Sequence, residues 1–465
     1  MFNLVDEKWI PVLWNNGQVS AIGIKEALTR AGSIRQIAAS NPMDRFAIMR
    51  FLLAVLYWCK GNPTGDETEL KGDSFPAEWF EKLEAEKDCF NLLGEGKRFF
   101  QNQSANRKKS TTELLQEIPT GNNFRHFRHS TDNINGLCKA CCAMGLLRLP
   151  LFSVSGLPDL KAGINGTPPI YIFAIGPNLK ETLVSNWMHV DSIGNPSWVA
   201  PSITKISSSC APLLDGLTTL SRKVFLHNPD DEMSDCIGCG KRDFLITTCE
   251  FQSAGELRNE LWNDPHVLYT DKEPRKSLKA PDPTSTGRFR MDRQWPETAS
   301  RISQSNRFIG ANTDNMILVI GFSTDKAKNI DVWERTIRIP SKPASTDTAA
   351  TLIELWKKES WLIEKQRIGS RSDKEKSAMA ATIRPHVEHV VSSRLDELLT
   401  GEPAAWDDAS REYRPLMSAV AGALSPGFTS SALERRRKIS SVAPDMREKK
   451  STGKTRVKKG GKKDE

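Results

Sequence analysis

The sequence lacks the features of membrane and secreted proteins. Its longest uninterrupted apolar run covers only residues 51–58, far short of the roughly 20 residues that a membrane-spanning helix needs. The N-terminus has no basic segment followed by an apolar core and a small-residue cleavage site, which is the pattern of a secretory signal peptide. We therefore expect a cytoplasmic protein without membrane contact, whose nine cysteines are mostly reduced thiols.

The common catalytic motifs are also missing. The chain contains no GxxxxGK[ST], HExxH or GxSxG pattern, so the signatures of P-loop nucleotide binding, zinc proteases and many hydrolases are absent. The carboxylates are scattered among lysines and arginines without a pair suited to acid–base chemistry, and no nucleophile stands out. We expect a protein that binds its partners and is not an enzyme.

The net charge of +8 describes the C-terminus more than the rest of the chain. Residues 446–465 contain nine Lys/Arg and three Asp/Glu, whereas the remaining chain is nearly balanced, with 56 basic and 54 acidic residues. This Lys- and Gly-rich tail has too few apolar residues to fold, so we expect it to be disordered. A nucleic-acid-binding surface must therefore be sought in local groups of residues.

The apolar pattern predicts a mixed domain followed by helices. Residues 2–22 alternate apolar and polar side chains around Asn-Asn-Gly, which indicates a β-hairpin. Asn-Pro-Met-Asp at the start of 41–58 predicts a capped, buried helix. A second apolar helix is expected over 137–149 and a strand over 170–175.

After Pro343 the pattern becomes helical. We expect an α+β protein with three regions: a large mixed α/β N-terminal domain over 1–345 with a zinc-stapled core, a four-helix bundle over 346–445 and the disordered tail. Glycine and proline separate the four predicted helices, which cover residues 347–366, 378–400, 405–424 and 429–442.

Two Cys-x-x-Cys pairs carry the most specific chemical signal, Cys138 with Cys141 and Cys236 with Cys239. Zinc takes four tetrahedral ligands, and two thiolates separated by two residues on a turn can hold one ion. The first pair begins an apolar helix, whose N-terminal dipole favours thiolates. Because 94 residues separate the pairs, one ion would join distant segments. With four protein ligands, the zinc would be structural.

Other interpretations of these residues stay open. The two pairs can be buried free thiols, or zinc can be bound by His126 and His129 together with the first cysteine pair. A further histidine pair, His386 and His389, lies in a predicted helix and is typical of a surface or packing role.

Two polar segments are candidates for nucleic-acid binding. Residues 104–136 are irregular, and within them 123–130 alternate aromatic and basic side chains that can stack on bases and pair with phosphates. A solvated basic loop is the alternative interpretation. Residues 153–167 contain three glycines and Lys161, and glycine lets the backbone approach a ligand closely. A surface loop before a strand is the alternative there.

The order of these motifs resembles the CasA family, the large subunit of the type I-E CRISPR surveillance complex, Cascade. The resemblance covers residues 1–345 by motif and 346–445 by architecture alone. The matching motifs are Trp9-Ile-Pro, Asn41-Pro-Met-Asp, Phe90-Asn-Leu-Leu, Leu137-Cys-x-x-Cys, Gly166-Thr-Pro and Cys236-Ile-Gly-Cys-Gly.

The resemblance implies a non-catalytic subunit that recognises the PAM in a double-stranded DNA target and helps to open the duplex for R-loop formation. It also implies contacts with the CRISPR RNA handle and the other Cascade subunits, and a landing surface for a helicase–nuclease. Because the minor groove presents a degenerate pattern of acceptors, a lysine donor and close backbone approach suit such recognition.

The resemblance also implies the positions of the binding residues. A glycine loop, a lysine finger and a polar wedge would contact DNA, and an aromatic–basic loop would contact the RNA handle. Lys276 is the alternative finger, and asparagines stand where relatives carry a wedge glutamine. The implied DNA-binding residues are Gly156, Leu157, Pro158, Asp159, Lys161, Lys272, Asn312 and Asn315, and the RNA-handle residues are Phe124, Arg125, Phe127 and Arg128.

Two other function classes remain as alternatives. A free-standing, zinc-stabilised RNA-binding protein would use the aromatic–basic loop and the tail. A metalloenzyme would use only some of the cysteines and keep one coordination position of zinc open for water.

Overall fold

The computed structural model describes residues 2–64, 72–116, 136–154, 163–166, 168–200, 211–254, 262–267, 316–325 and 328–338, together with 429–430, 433–434 and 437. The chain divides into two compact units, Met1–Pro343 and Ala344–Glu465, which are described separately.

The described part of the first unit contains helices and strands in mixed order. The α-helices are α1 (Ile24–Thr29), α2 (Pro42–Lys60), α3 (Glu81–Ala85), α4 (Lys139–Phe152), α5 (Leu179–Asn186) and α6 (Leu213–Thr218). Short 3-10 helices cover Ala31–Ser33, Ala77–Phe80, Lys87–Phe90 and Thr111–Leu114. The strands are β1 (Phe2–Asn3), β2 (Ile10–Trp14), β3 (Val19–Ile22), β4 (Ile34–Ile37), β5 (Asn91–Leu93), β6 (Lys108–Ser110), β7 (Tyr171–Ile175), β8 (Arg222–Leu226), β9 (Met233–Asp235), β10 (Arg242–Phe244), β11 (Thr248–Ser253), β12 (Met316–Asp325) and β13 (Lys328–Arg338).

These strands form small antiparallel sheets of two or three strands. Their orders are β1–β5, β3–β2–β4, β6–β11–β8, β9–β10 and β7–β12–β13. Sheets of this size do not hold a core by themselves. They are stabilised by one continuous set of buried apolar side chains that includes most of α2.

The local predictions for the first unit are confirmed. Strands β2 and β3 form the expected hairpin, and Gly17 at its turn has a φ of +86° that glycine adopts without strain. Helix α2 is capped by the Asn41 side chain, which accepts a hydrogen bond from the Met43 amide at 2.9 Å. Helix α4 and strand β7 lie where the apolar pattern predicted them. The mixed α/β character of the domain is therefore as expected.

Helix α2 is buried on nearly every side, since 15 of its 19 residues are buried. Its two buried charges are both paired. Arg148 of α4 donates to the carboxylate of Asp44 at 2.7 and 2.9 Å, and Arg50 donates to Asp264 at 2.7 and 2.6 Å. Burial opposes ionisation of Asp264, but the charge and hydrogen bonds of Arg50 together with the contributions of His266 outweigh it and lower the pKa of this carboxyl.

Of the second unit, only a few residues belong to the described part of the chain. Ser430, Leu433, Glu434 and Arg437 are helical, and the Leu433 amide donates to the Thr429 carbonyl at 3.0 Å. These residues fall within the helix predicted over 429–442. The rest of the predicted bundle and the tail lie outside the described residues and stay predictions.

Within the described ranges, none of the helices combines the length and the hydropathy that a bilayer crossing demands.

Replacing Arg148 with methionine tests the buried pair between α2 and α4. We expect Arg148→Met to lower the free energy of unfolding by about 3–5 kcal/mol, because Asp44 is left buried without its partner. The combined Asp44→Leu and Arg148→Met variant should recover most of that loss, since both charges are removed. Urea denaturation followed by tryptophan fluorescence gives both values.

The matched control is Lys25→Met. Lys25 pairs with Glu84 at 2.8 Å on the surface, and such pairs contribute at most about 1 kcal/mol. Equal losses for Arg148→Met and Lys25→Met would contradict a special role for the buried pair.

Candidate metal centre

The two predicted cysteine pairs converge in the structure. The sulfurs of Cys138, Cys141, Cys236 and Cys239 all lie within 4.8 Å of one another, and the Cys138 and Cys239 sulfurs are 3.7 Å apart. Tetrahedral zinc with Zn–S bonds of about 2.3 Å separates its sulfur ligands by ~3.8 Å. The donor atoms are therefore spaced as four ligands of one metal ion would be.

The second pair is held in the turn between β9 and β10. The Cys236 amide donates to the Lys241 carbonyl at 2.8 Å, and the Gly240 amide donates to the Cys236 carbonyl at 2.8 Å. Gly240 has a φ of +72°, a conformation that residues other than glycine rarely adopt. This tight turn directs both sulfurs to the same side of the hairpin.

The first pair lies at the start of α4. Cys138 is the N-cap residue, and Cys141 lies in the first turn, where the helix dipole favours negative charge. The Cys138 amide donates to the Cys236 sulfur at 3.2 Å. A Cβ atom added at Gly238 would lie 3.0 Å from the Cys141 sulfur, so the absence of a side chain allows this approach.

Hydrogen bonding among the thiols favours the metal-binding form of the second pair. The Cys138, Cys141 and Cys239 thiols lower the pKa of Cys236. The pKa of Cys239 is lowered to about 7, most strongly by the hydrogen bond with Cys138 and less by that with Cys141. The pKa of Cys138 and that of Cys141 are raised in the same network. Thiolates are the metal ligands, so metal binding would have to displace the protons held by these two thiols.

The donor set fits a closed, structural metal site. Four sulfur ligands fill a tetrahedral coordination sphere, and thiolates select zinc or iron–sulfur chemistry over magnesium or calcium. This convergence favours the four-cysteine set over free thiols and over the set with His126 and His129, which lie outside the described residues. Cys138, Cys141 and Cys236 are buried, whereas Cys239 is exposed.

A second set of contacts lies beside the cysteines and was not predicted. The Ile246 carbonyl accepts hydrogen bonds from the Thr111 hydroxyl at 2.6 Å and from the Leu137 amide at 3.0 Å. A Cβ atom at Gly136 would lie 2.3 Å from the same oxygen. Residues 111 and 137 flank 117–135, the part of the long polar segment outside the described residues. One carbonyl therefore bonds to the chain before and after this segment, next to the cysteine cluster.

The remaining predicted binding residues lie outside the described part of the chain. They comprise the glycine-loop residues Gly156, Leu157, Pro158, Asp159 and Lys161, the finger Lys272, the wedge residues Asn312 and Asn315, and the loop residues Phe124, Arg125, Phe127 and Arg128. Their assignments stay predictions.

Comparison with known proteins identifies the class of protein. Residues 3–354 match the family described as CRISPR-associated protein Cse1 (CRISPR_cse1). This match covers more than half of the chain. The chain therefore belongs to the Cse1 family of CRISPR-associated proteins.

Individual relatives agree with this family. The CRISPR-associated protein CasA/Cse1 of Thermus thermophilus is 31% identical over 216 residues. That alignment spans 43% of this chain and 43% of the relative, so less than half of the relative's length is matched.

Solved structures share the fold. Thermus thermophilus CasA (Cse1) has a TM-score of 0.71 at 19% identity, covering 94% of this chain and 98% of that chain. A chain of a CRISPR RNA-guided surveillance complex has a TM-score of 0.63 at 14% identity, covering 94% and 99%. At these identities the likeness shows the fold.

The shared carbonyl leads to a prediction about Thr111. We expect Thr111→Val to lower the free energy of unfolding by about 1 kcal/mol, because the buried hydroxyl donor is lost while the side-chain shape is kept. Thr111→Ser retains the hydroxyl and should keep this hydrogen bond. Urea denaturation of both variants measures the difference in the free energy of unfolding, provided that their m-values are equal. An unchanged free energy of unfolding for Thr111→Val would show that the hydroxyl contributes nothing, whereas a loss for Thr111→Ser alone would report the buried methyl group.

Proposed function

We propose that this protein is the non-catalytic large subunit of a type I-E Cascade complex in the cytoplasm. In this role it binds the CRISPR RNA handle and the other Cascade subunits, recognises the PAM in double-stranded DNA and helps to open the duplex for R-loop formation. It then recruits the helicase–nuclease that degrades the target. The family match over residues 3–354 carries this proposal.

The RNA contact is assigned to residues 123–130. Their aromatic and basic side chains suit stacking on unpaired bases and pairing with phosphates. The chain on either side of this segment is attached to the Ile246 carbonyl beside the cysteine cluster. A fixed base limits the orientations of the segment, which lowers the entropy lost when it binds RNA.

The cysteine cluster is assigned to one structural zinc ion. Cys138, Cys141, Cys236 and Cys239 would hold it, and when bound it joins the β9–β10 hairpin to the start of α4. Such an ion contributes on the order of 10 kcal/mol to folding. Its role here is to fix the base of the RNA-contacting segment.

Metal analysis tests this assignment. We expect one zinc per chain, and we expect replacement of either cysteine pair by serine to abolish binding, since each pair supplies half of the ligands. Cys89→Ser is the control, because this half-buried cysteine lies outside the cluster. Elemental analysis gives the stoichiometry, and thermal denaturation with a chelator should show a lower Tm.

Two results would count against the zinc site. Iron in place of zinc would point to a different cluster chemistry. Full metal occupancy after replacement of one pair would show that the ion is held elsewhere, as in a metalloenzyme with an open position.

The DNA contact is assigned to Lys272 with the glycine loop at 156–159, Lys161 and the wedge residues Asn312 and Asn315. A lysine ammonium can donate hydrogen bonds to the acceptor atoms on the base edges in the minor groove. Glycine permits close approach of the backbone, and short amides can compete for base edges once the duplex begins to open.

Replacing Lys272 tests the proposed function. We expect Lys272→Ala to weaken binding of a PAM-containing duplex by the assembled complex about tenfold to a hundredfold, since a hydrogen bond from a charged donor is lost. Assembly with CRISPR RNA should be unchanged. Electrophoretic mobility shifts measure duplex binding, and co-purification of the RNA measures assembly.

Lys25→Ala serves as the control, because it removes one exposed lysine far along the sequence from the proposed finger. Unchanged binding by Lys272→Ala together with weaker binding by Lys276→Ala would move the finger to Lys276. If this chain binds RNA but does not join the other subunits, the free-standing RNA-binding function is favoured.

A further inference from the structure

The two ends of the segment 155–162 lie beside the C-terminal end of α4. On the entry side, the Val154 carbonyl accepts a hydrogen bond from Arg222 at 2.7 Å. On the exit side, a Cβ atom at Gly163 would lie 2.9 Å from the Pro150 carbonyl and 3.7 Å from the Ser221 side chain. Entry and exit therefore contact two adjacent residues, Arg222 at the start of β8 and Ser221 just before it.

A tight turn over residues 163–166 follows this segment. The Gly166 amide donates to the Gly163 carbonyl at 2.9 Å, and Gly166 has a φ of +75° that glycine tolerates. Ile164 is buried in the core. These contacts fix the turn on the core and leave Asn165 to bond with other parts of the chain.

The Asn165 side chain uses both ends of its amide. Its nitrogen donates to the Asp264 carboxylate at 2.7 Å and lies 3.2 Å from the Tyr171 hydroxyl. Its oxygen accepts from the Trp262 indole at 2.9 Å. An asparagine amide has one donor end and one acceptor end, so this side chain matches both the carboxylate and the indole.

Residues 262–267, which Asn165 contacts, are held firmly against the core. Asp264 is fully buried and paired with Arg50 of α2. The His266 carbonyl accepts from the Ile172 amide of β7 at 2.8 Å. The Trp262 ring packs against α6, where a Cβ atom at Gly216 would lie 2.1 Å from it. The chain leaves the described part at residue 268, four positions before Lys272.

We propose that Asn165 is a positioning residue for PAM recognition, because its side chain joins the exit of the glycine-loop segment to the stretch that leads to Lys272. This inference rests on the proposed function. Asn165 acts through its hydrogen bonds to Asp264 and Trp262, which fix residues 163–166 and 262–267, the described flanks of the two segments, relative to each other. Both segments can contact the same PAM only if their starting points are held at a constant distance and orientation, since misplacing a contacting group weakens the contact.

The test compares variants within the assembled, guide-loaded complex. We expect Asn165→Ala to weaken binding of a PAM-containing duplex about tenfold and to reduce its preference over a duplex with a scrambled PAM. Binding of the same target as a single strand should be unchanged, because guide pairing alone directs it. Trp262→Phe removes the indole donor together with part of the ring, keeps the Asn165–Asp264 hydrogen bond and should show the same effect to a smaller degree.

Asn62→Ala is the matched structural control. Asn62 also uses both ends of its side-chain amide. Its nitrogen donates to the Val190 carbonyl at 2.8 Å, and its oxygen accepts from the Val190 amide at 3.0 Å. These bonds involve neither of the two segments. Asn62→Ala should lower the Tm about as much as Asn165→Ala does and leave PAM preference unchanged.

A double variant separates the two proposals. If Asn165 positions Lys272, then Asn165→Ala should have a much smaller effect on duplex binding when Lys272 is already alanine.

If Lys272→Ala and Lys276→Ala both leave duplex binding intact, the proposed function is wrong for this segment. If Lys272→Ala weakens binding while Asn165→Ala and Trp262→Phe do not, only the role of Asn165 is refuted. Equal losses for duplex and single-stranded targets would indicate damage to the fold.

Discussion

The structure depends on the neutralisation of two charges inside the core. Helix α2 is surrounded by protein, and an unpaired charge there would cost several kcal/mol. Asp44 and Arg50 therefore require partners, which come from α4 and from residues 262–267. Each ion pair joins α2 to an element beside a proposed site. Helix α4 begins with two of the cysteines, and Asp264 precedes the segment assigned to DNA.

The cysteine cluster and separate hydrogen bonds both lie next to the proposed binding segments. The cysteine cluster joins two parts of the chain that are far apart in sequence and suits one strongly bound ion. The Ile246 carbonyl accepts neutral hydrogen bonds, which are individually weak, whereas Asn165 donates to the charged Asp264 carboxylate. Because these contacts are buried, arrangements that leave one of the polar groups without its partner are disfavoured.

Much of the fold and the four cysteines of the candidate metal centre could be predicted because the signals are local. The Asn-Asn-Gly turn, the cap at Asn41 and the two Cys-x-x-Cys spacings each lie within a few residues. The contacts of Thr111 and Asn165 could not be predicted, since their partners lie 135 and 99 positions away. Threonine and asparagine are common residues that form no motif, so only the folded chain shows what they join.

The shared acceptor at Ile246 has an evolutionary consequence. Because the two stems of the segment meet at one oxygen, the intervening chain closes a loop whose entropic penalty grows only with the logarithm of its length, about 0.6 kcal/mol per doubling. Insertions, deletions and wholesale exchange of that stretch are thermodynamically inexpensive as long as both stems are retained. The sequence between the stems can thus diverge among relatives while the two stems stay constant.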